Sequence, residues 1–202
     1  MKELVFATHN QHKASEIQAL LGDSFSLLTL DRAGFFEALP EEQHTLEGNA
    51  VQKARFVYER LGRNCFADDT GLEVRALGNA PGVYSARYAE LSGERMPGEP
   101  VPDANIRKLL GQMDGLTDRA ARFRTVIALF IDGQQYLFEG TADGHILEER
   151  RGKAGFGYDP VFLPSGHRRT FAEMSLDEKN KISHRAIAIG KLVEFLKNIG
   201  NG

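Results

Sequence analysis

The sequence predicts an α/β fold with a mixed central sheet flanked by helices, and three observations carry that prediction. Short apolar runs alternate with helical repeats from the start of the chain to Ala67. A cluster of strands then follows residue 120, two of them joined through Asp132-Gly133, a strong hairpin signal. A last helical repeat closes the chain, and no internal repeat, heptad pattern or low-complexity segment interrupts it.

Residues 3–7 read as a buried strand and 14–21 as a helix, with Ala14, Ile17, Leu20 and Leu21 on one face and Gly22 as its stop. Leu27 to Leu30 is the second strand. Residues 46–61 form a helix with Leu46, Ala50, Ala54, Val57 and Leu61 three or four apart, ended by Gly62. Residues 64–67 form a short strand that ends in the acid pair Asp68-Asp69, with Thr70-Gly71 as a turn. Residues 91–103, with three prolines and two glycines, read as a loop before a helix at 104–113. Strands at 121–131 and 135–142 precede another from His145 to Glu149. A Gly-rich loop spans Gly152 to Gly157, and a turn spans Pro164 to His167. The last helix runs from Ser183 to Lys197 and should bury Ala186, Ile189, Val193 and Leu196.

A length of 202 residues suits one domain or two close lobes, here taken as one α/β domain over 1–202. A net charge of -3 excludes general nucleic-acid binding, which needs a basic surface. The single cysteine, Cys65, excludes an internal disulfide and fits a reducing compartment. No secretory signal pattern opens the chain, and no apolar stretch reaches the roughly 20 residues of a membrane span. A cytoplasmic protein without a membrane partner is the expectation.

Four groups of residues could carry chemistry. Asp68 and Asp69 would be costly at the end of a buried strand unless paired or metal-bound, and hard divalent cations prefer such oxygen ligands. Glu41 and Glu42, after the rigid Pro40, are candidates to complete a metal set. Thr8-His9-Asn10-Gln11-His12-Lys13 lies at a helix start, where free N–H groups and the helix dipole attract anions. Lys13 opposes that dipole, which a bound polyphosphate would explain; Asn10 also suits a plain helix cap. In Gly155-Phe156-Gly157-Tyr158-Asp159-Pro160, two glycines allow close backbone approach while Phe156 offers a ring to a base, or else they mark a tight turn. Lys179 with Ser183-His184-Arg185 gathers donors at the last helix start. The chain has no P-loop signature, and His9 and His12 lack the further ligands that zinc needs.

Together these stretches resemble the inosine triphosphate pyrophosphatases, the non-canonical purine nucleoside triphosphate pyrophosphatases, and their bacterial members most. The resemblance is carried by Phe6 to Lys13, Ala67 to Leu72, Pro81 to Tyr88, Gly155 to Pro160, and Glu178-Lys179 with Ile182 to Ala186, in that order. It implies hydrolysis of ITP, dITP and XTP to the monophosphate plus diphosphate, with Mg2+, in a homodimer whose lobes flank an active-site cleft. It places substrate contacts on Thr8, His9, Asn10, Gln11, His12, Lys13, Thr70, Phe156, Gly157, Tyr158, Asp159, Lys179, His184 and Arg185. It places the general base and a metal ligand on Asp69 and a further ligand on Glu41, with Glu42 the alternative. Asp68 would keep the metal shell in place, and Lys13 would offset triphosphate charge. Two other readings remain open on the residues alone: a hydrolase of other modified or canonical nucleotides, and a non-catalytic nucleotide sensor.

Overall fold

The computed structural model describes residues 2–21 and 25–199. In chain order the elements are β1 (Lys2–Phe6), α1 (Gln11–Leu21), β2 (Phe25–Thr29), α2 (Leu46–Leu61), β3 (Cys65–Val74), β4 (Pro81–Gly82) and α3 (Val101–Gln112). The chain continues through β5 (Ala120–Ile131), β6 (Gln134–Ile146), β7 (Phe162–Pro164), α4 (Leu176–Lys179) and α5 (His184–Ile199). One mixed sheet holds the strands in the order β2-β1-β3-β5-β6-β7, with β4 paired to β3 off that path. β1 runs parallel to both β2 and β3, whereas β4 and β7 pair antiparallel with their neighbours. Asp132 and Gly133 turn β5 into β6 with φ of 50° and 77°, the left-handed pair that a tight hairpin requires.

The residue contacts divide the chain into two compact units. The first comprises 1–69, 125–140 and 183–202. Its core joins Leu4 and Phe6 of β1, Ile17 and Leu21 of α1, Phe66 of β3, Ile127 and Leu129 of β5, and Ile189, Leu192 and Leu196 of α5. Phe6 and Phe66 stack with centroids 4.7 Å apart, which locks β1 to β3 just before the acid pair. The second unit comprises 70–124 and 141–182. Leu72, Ile106, Leu109, Phe123, Phe162 and Phe171 form its centre. Phe162 lies 4.7 Å from Phe123 and 5.2 Å from Phe171 between ring centroids.

Several expected boundaries move, each for a physical reason. The acid pair does not end a strand: β3 runs through it and through Thr70-Gly71 to Val74. Leu72 and Val74 are fully buried beyond the acids, and the two charges are met by cations rather than by solvent. α1 begins three residues before the expected start, because its polar first turn, Gln11-His12-Lys13, carries no apolar signal. α3 likewise begins at Val101, since Pro102 in a first turn lacks only an N–H that would have no helical partner. β6 absorbs His145 and Ile146, so no separate strand reaches Glu149. In α5 the buried stripe is Arg185, Ala188, Ile189, Leu192 and Leu196, while Ala186 and Val193 are only half-buried. α2 matches its expected bounds: Thr45 caps it by accepting from the Gly48 N–H, and Gly62 ends it at φ 60°. The Gly22 stop lies outside the described residues. No helix among the described residues is long and apolar enough to cross a membrane.

Candidate active site

In the first unit the catalytic candidates collect around the middle of β3. The turn after β1 is tied by its own side chains: Asn10 N–H donates to Thr8 Oγ1 at 3.1 Å, and Lys13 N–H donates to Asn10 Oδ1 at 3.2 Å. Asn10 is therefore the cap of α1. His9, Asn10, Gln11 and His12 are exposed and Thr8 is half-buried, so the helix start faces solvent. His9 Nε2 pairs with the Glu37 carbonyl at 2.9 Å. Lys13 turns the other way, and its Nζ lies 2.9 Å from Asp68 Oδ2.

Asp68 is 1 % exposed and also faces Arg185, whose Nε is 3.7 Å from Oδ2. Burial alone would push its carboxyl up, but Lys13, Arg185 and Lys53 outweigh burial and hold it well below the usual range. Arg185 is itself buried and ion-paired with Glu16 of α1. Those contacts turn Arg185 into the first unit, onto the acid cluster. His184 beside it is also buried, and Ser183 caps α5 by accepting from the Ala186 N–H at 3.2 Å.

Asp69 behaves differently from its neighbour. Asn49 Nδ2 donates to one oxygen at 3.1 Å and Lys53 Nζ to the other at 3.2 Å. Burial nevertheless prevails over Lys53 and Lys13, and raises its carboxyl above the ordinary value. Adjacent acids in one strand thus diverge: one is held ionised as a fixed charge, the other is the better proton acceptor.

Lys53 also reaches Glu41 Oε1 at 2.6 Å. Burial would lower its pKa, but Asp69, Glu41 and Asp68 together raise it. The loop that carries Glu41 is fastened to α2: Glu42 N–H donates to Gln52 Oε1 at 3.0 Å, and Gln43 N–H donates to Asn49 Oδ1 at 2.9 Å. Of the two acids after Pro40, Glu41 shares a cation with Asp69, while Glu42 is engaged by Gln52. Two hard-oxygen donors that already converge on one positive charge fit a divalent cation. Mg2+ commonly takes only one or two carboxylates and fills its shell with water and phosphate. No group of three or more His, Cys, Asp or Glu placed to hold a metal ion occurs among the described residues.

In the second unit the Gly-rich motif makes a different kind of site. Asp159 is buried, and its Oδ2 accepts from Lys179 Nζ at 2.7 Å and from the Phe156 N–H at 2.9 Å. Gly155 is required there: at φ 74°, a Cβ on it would lie 2.1 Å from that same Oδ2. Lys179, buried at the end of α4, sits 5.0 Å from the Phe156 ring centroid and 5.6 Å from that of Phe171. Phe156 and Gly157 are half-buried, as is Thr70 on β3. Tyr158 is buried, and its hydroxyl donates to the Ser85 carbonyl at 3.0 Å. Phe156 is thereby fixed as a platform between a cation and its own backbone tie to Asp159.

Three residues of this charge cluster escaped the sequence reading: Asn49 and Lys53 on α2, and Glu16 on α1. The signal was present. Asn49 and Lys53 are four apart and lie on the stripe formed by Leu46, Ala50, Ala54 and Val57, where a solvated side chain has no place.

The sequence model of the Ham1 family matches residues 4–195. A protein of Porphyromonas gingivalis named dITP/XTP pyrophosphatase is 52% identical over 198 residues, covering 97% of this chain and 98% of that one. The dITP/XTP pyrophosphatase of Bacillus subtilis is 43% identical over 201 residues, covering 98% of each. The solved structure of a HAM1 protein from Coxiella burnetii superposes with a TM-score of 0.86 at 36% identity, over 98% of this chain and 100% of that one.

Proposed function

The chain belongs to the Ham1 family, and on that premise we propose that it hydrolyses dITP, ITP and XTP to the monophosphate and diphosphate. It is a nucleoside triphosphate pyrophosphatase that removes non-canonical purine nucleotides from the pool. The observation that carries the reading is the convergence at the middle of β3 of Asp69 and Glu41 on Lys53, beside an Asp68 paired with Lys13.

The triphosphate approaches the α1 start at Thr8 to His12, where exposed polar groups and the helix dipole favour an anion. Lys13, held by Asp68 at the edge of that turn, offsets phosphate charge. Asp69 orients a water and takes its proton as the water attacks the α-phosphorus, and Asn49 keeps the carboxylate in the rotamer that task needs. Glu41 and Asp69 would hold Mg2+, which when bound screens the charge that builds on the diphosphate. Arg185 acts from behind through Glu16 and Asp68, as a positioning residue for the acid cluster. Phe156, Gly157, Tyr158, Asp159 and Lys179 serve the nucleoside end, with Phe156 as the stacking surface and Lys179 as a donor to the 6-oxygen of the base. Adenine presents an amino group there and would leave that donor unpaired, at a cost of about 1–3 kcal/mol. Thr70 keeps a hydroxyl beside the acid pair for the substrate.

The enzyme works in the cytoplasm as a homodimer of single α/β chains, each with two lobes. Diphosphate release from ITP, dITP, XTP, GTP, ATP and dUTP, run beside Asp69→Asn, tests the reading. Strong release from the first three, lost in the variant, is expected. No turnover of any nucleotide, or full activity in the variant, would leave a nucleotide sensor or another catalytic acid.

A further inference from the structure

We propose that Lys53 is the resident counter-cation of the Glu41–Asp69 pair, and that a divalent cation enters only by displacing its ammonium. This rests on the assignment of those two carboxylates as metal ligands. Lys53 Nζ lies 2.6 Å from Glu41 Oε1 and 3.2 Å from Asp69 Oδ1, so it stands at the point on which the two donors converge. Its side chain is 4% exposed, on the inner face of α2 between Ala50 and Ala54. A buried ammonium is tolerated only when its charge is met, and these two oxygens meet it.

A metal ion held at the usual ~2.1 Å from Glu41 Oε1 and Asp69 Oδ1 would stand at nearly the point that Nζ occupies. Two positive centres cannot share it. Metal affinity is therefore reduced by the fraction of molecules in which Lys53 has swung away. The helix backbone does not have to move, because the four-carbon stem supplies the rotation. The freed ammonium then needs another anion inside the unit, and a phosphate oxygen of the substrate is the anion at hand. Metal and triphosphate accordingly favour each other's binding: the first expels Lys53 and the second receives it. Free enzyme stays metal-poor without leaving the buried Asp69 and the exposed Glu41 to repel each other.

The test measures free Mn2+ by electron paramagnetic resonance, with the full chain and no nucleotide. Lys53→Met keeps the length of the stem and removes the charge. It should bind Mn2+ at least tenfold more tightly than wild type, and Glu41→Gln added to it should abolish the gain. Equal or weaker binding by a folded Lys53→Met protein overturns the proposal. Should that variant not fold, wild-type crystals soaked in Mn2+ decide the matter. A metal peak on Glu41 and Asp69 with Nζ more than ~4 Å from both supports displacement; any other arrangement overturns it. Wild-type turnover of dITP is measured alongside. Its absence sinks the pyrophosphatase reading, whereas turnover without an affinity gain in Lys53→Met sinks only the displacement.

Discussion

Lys13 Nζ lies 2.9 Å from Asp68 Oδ2, joining the first turn of α1 to the middle of β3 across 55 residues of chain. Asp68 serves this cation and the buried Arg185 together. Asp68→Asn would leave the half-buried Lys13 and the buried Arg185 facing a neutral amide, and removing one partner of a buried pair costs about 3–5 kcal/mol. Lys13→Met should cost less, because Arg185 still meets Asp68. Urea unfolding of both variants checks the order; a larger loss from Lys13→Met would show that Arg185 does not share the charge.

Phe156 is the expected stacking surface for the base. Its ring is held by Lys179 on one side, and its N–H is tied to Asp159. Base–aromatic stacking is worth about 1–3 kcal/mol. Phe156→Ala should therefore raise KM for dITP roughly ten- to a hundredfold, while kcat changes less, since the water and acid pair are untouched. A fall in kcat at constant KM would mean that the ring orients the reacting phosphate instead.

Glu178 gives a pH-dependent stability. Hydrogen bonds from Arg169, and then from the Ser175 backbone, hold its carboxyl at about 2, below the ordinary value of 4.5. A carboxylate depressed on folding contributes stability that is whole above its unfolded pKa and is lost as pH falls to the folded one. Glu178→Gln should thus be less stable than wild type at pH 7, and the gap should close from about pH 4.5 downward. α4 is capped by this residue through Ser175, so the loss also loosens the segment that carries Lys179. Urea midpoints at pH 7 and pH 3 decide it; an unchanged gap would assign Glu178 a packing role.

Much of this was legible in the sequence, and the limits are physical. α2 was read to the residue because its apolar stripe and its Gly62 stop agree. The acid pair, Lys13 and the Phe156–Asp159 motif stand out because turn residues and charges rarely cluster so tightly. Lys53 lies on the apolar stripe of α2 whereas Glu16 carries no such signal, and for both of them what meets the charge is unknown until the partner is placed. Both partners lie far along the chain or in a loop of irregular pattern. The run of β3 through two aspartates was invisible for the same reason: its cost is offset by cations from α1 and α2, which local propensity does not see.

Cys65 tests the closure of the first unit. Its thiol is fully buried next to the Ala54 carbonyl, 3.2 Å away, and burial pushes its pKa up to about 12. Only the thiolate reacts quickly with disulfide reagents. Native protein at pH 8 should therefore take up almost no thionitrobenzoate label, against a full equivalent after denaturation. Ready labelling of native protein would mean that β3 opens beside α2 without global unfolding.

Asn105 ties the second unit's turn at Ser85 to Ala89 through three hydrogen bonds. Its Oδ1 accepts from the Ala89 N–H at 2.8 Å, and its Nδ2 donates to the Ser85 and Ala86 carbonyls at 3.2 and 3.1 Å. Ser85 in turn accepts from the Leu72 N–H at 2.8 Å and donates to the Gly82 carbonyl at 2.6 Å through its hydroxyl, while its carbonyl receives the Tyr158 hydroxyl. One amide thus organises the turn that links β3, just past the acid pair, to the Phe156 motif. Asn105→Ala leaves three backbone groups without that partner, each worth about 1–3 kcal/mol when it stays buried and unmet. Some of them will reach water, so a total of about 3 kcal/mol is expected. Asn105→Asp keeps the acceptor, loses both donors and sets a charge against two carbonyls, so it should not rescue the loss. Urea unfolding with an unchanged m-value reads the effect. A loss below about 1 kcal/mol would show that Tyr158 and Ser85 hold the turn unaided.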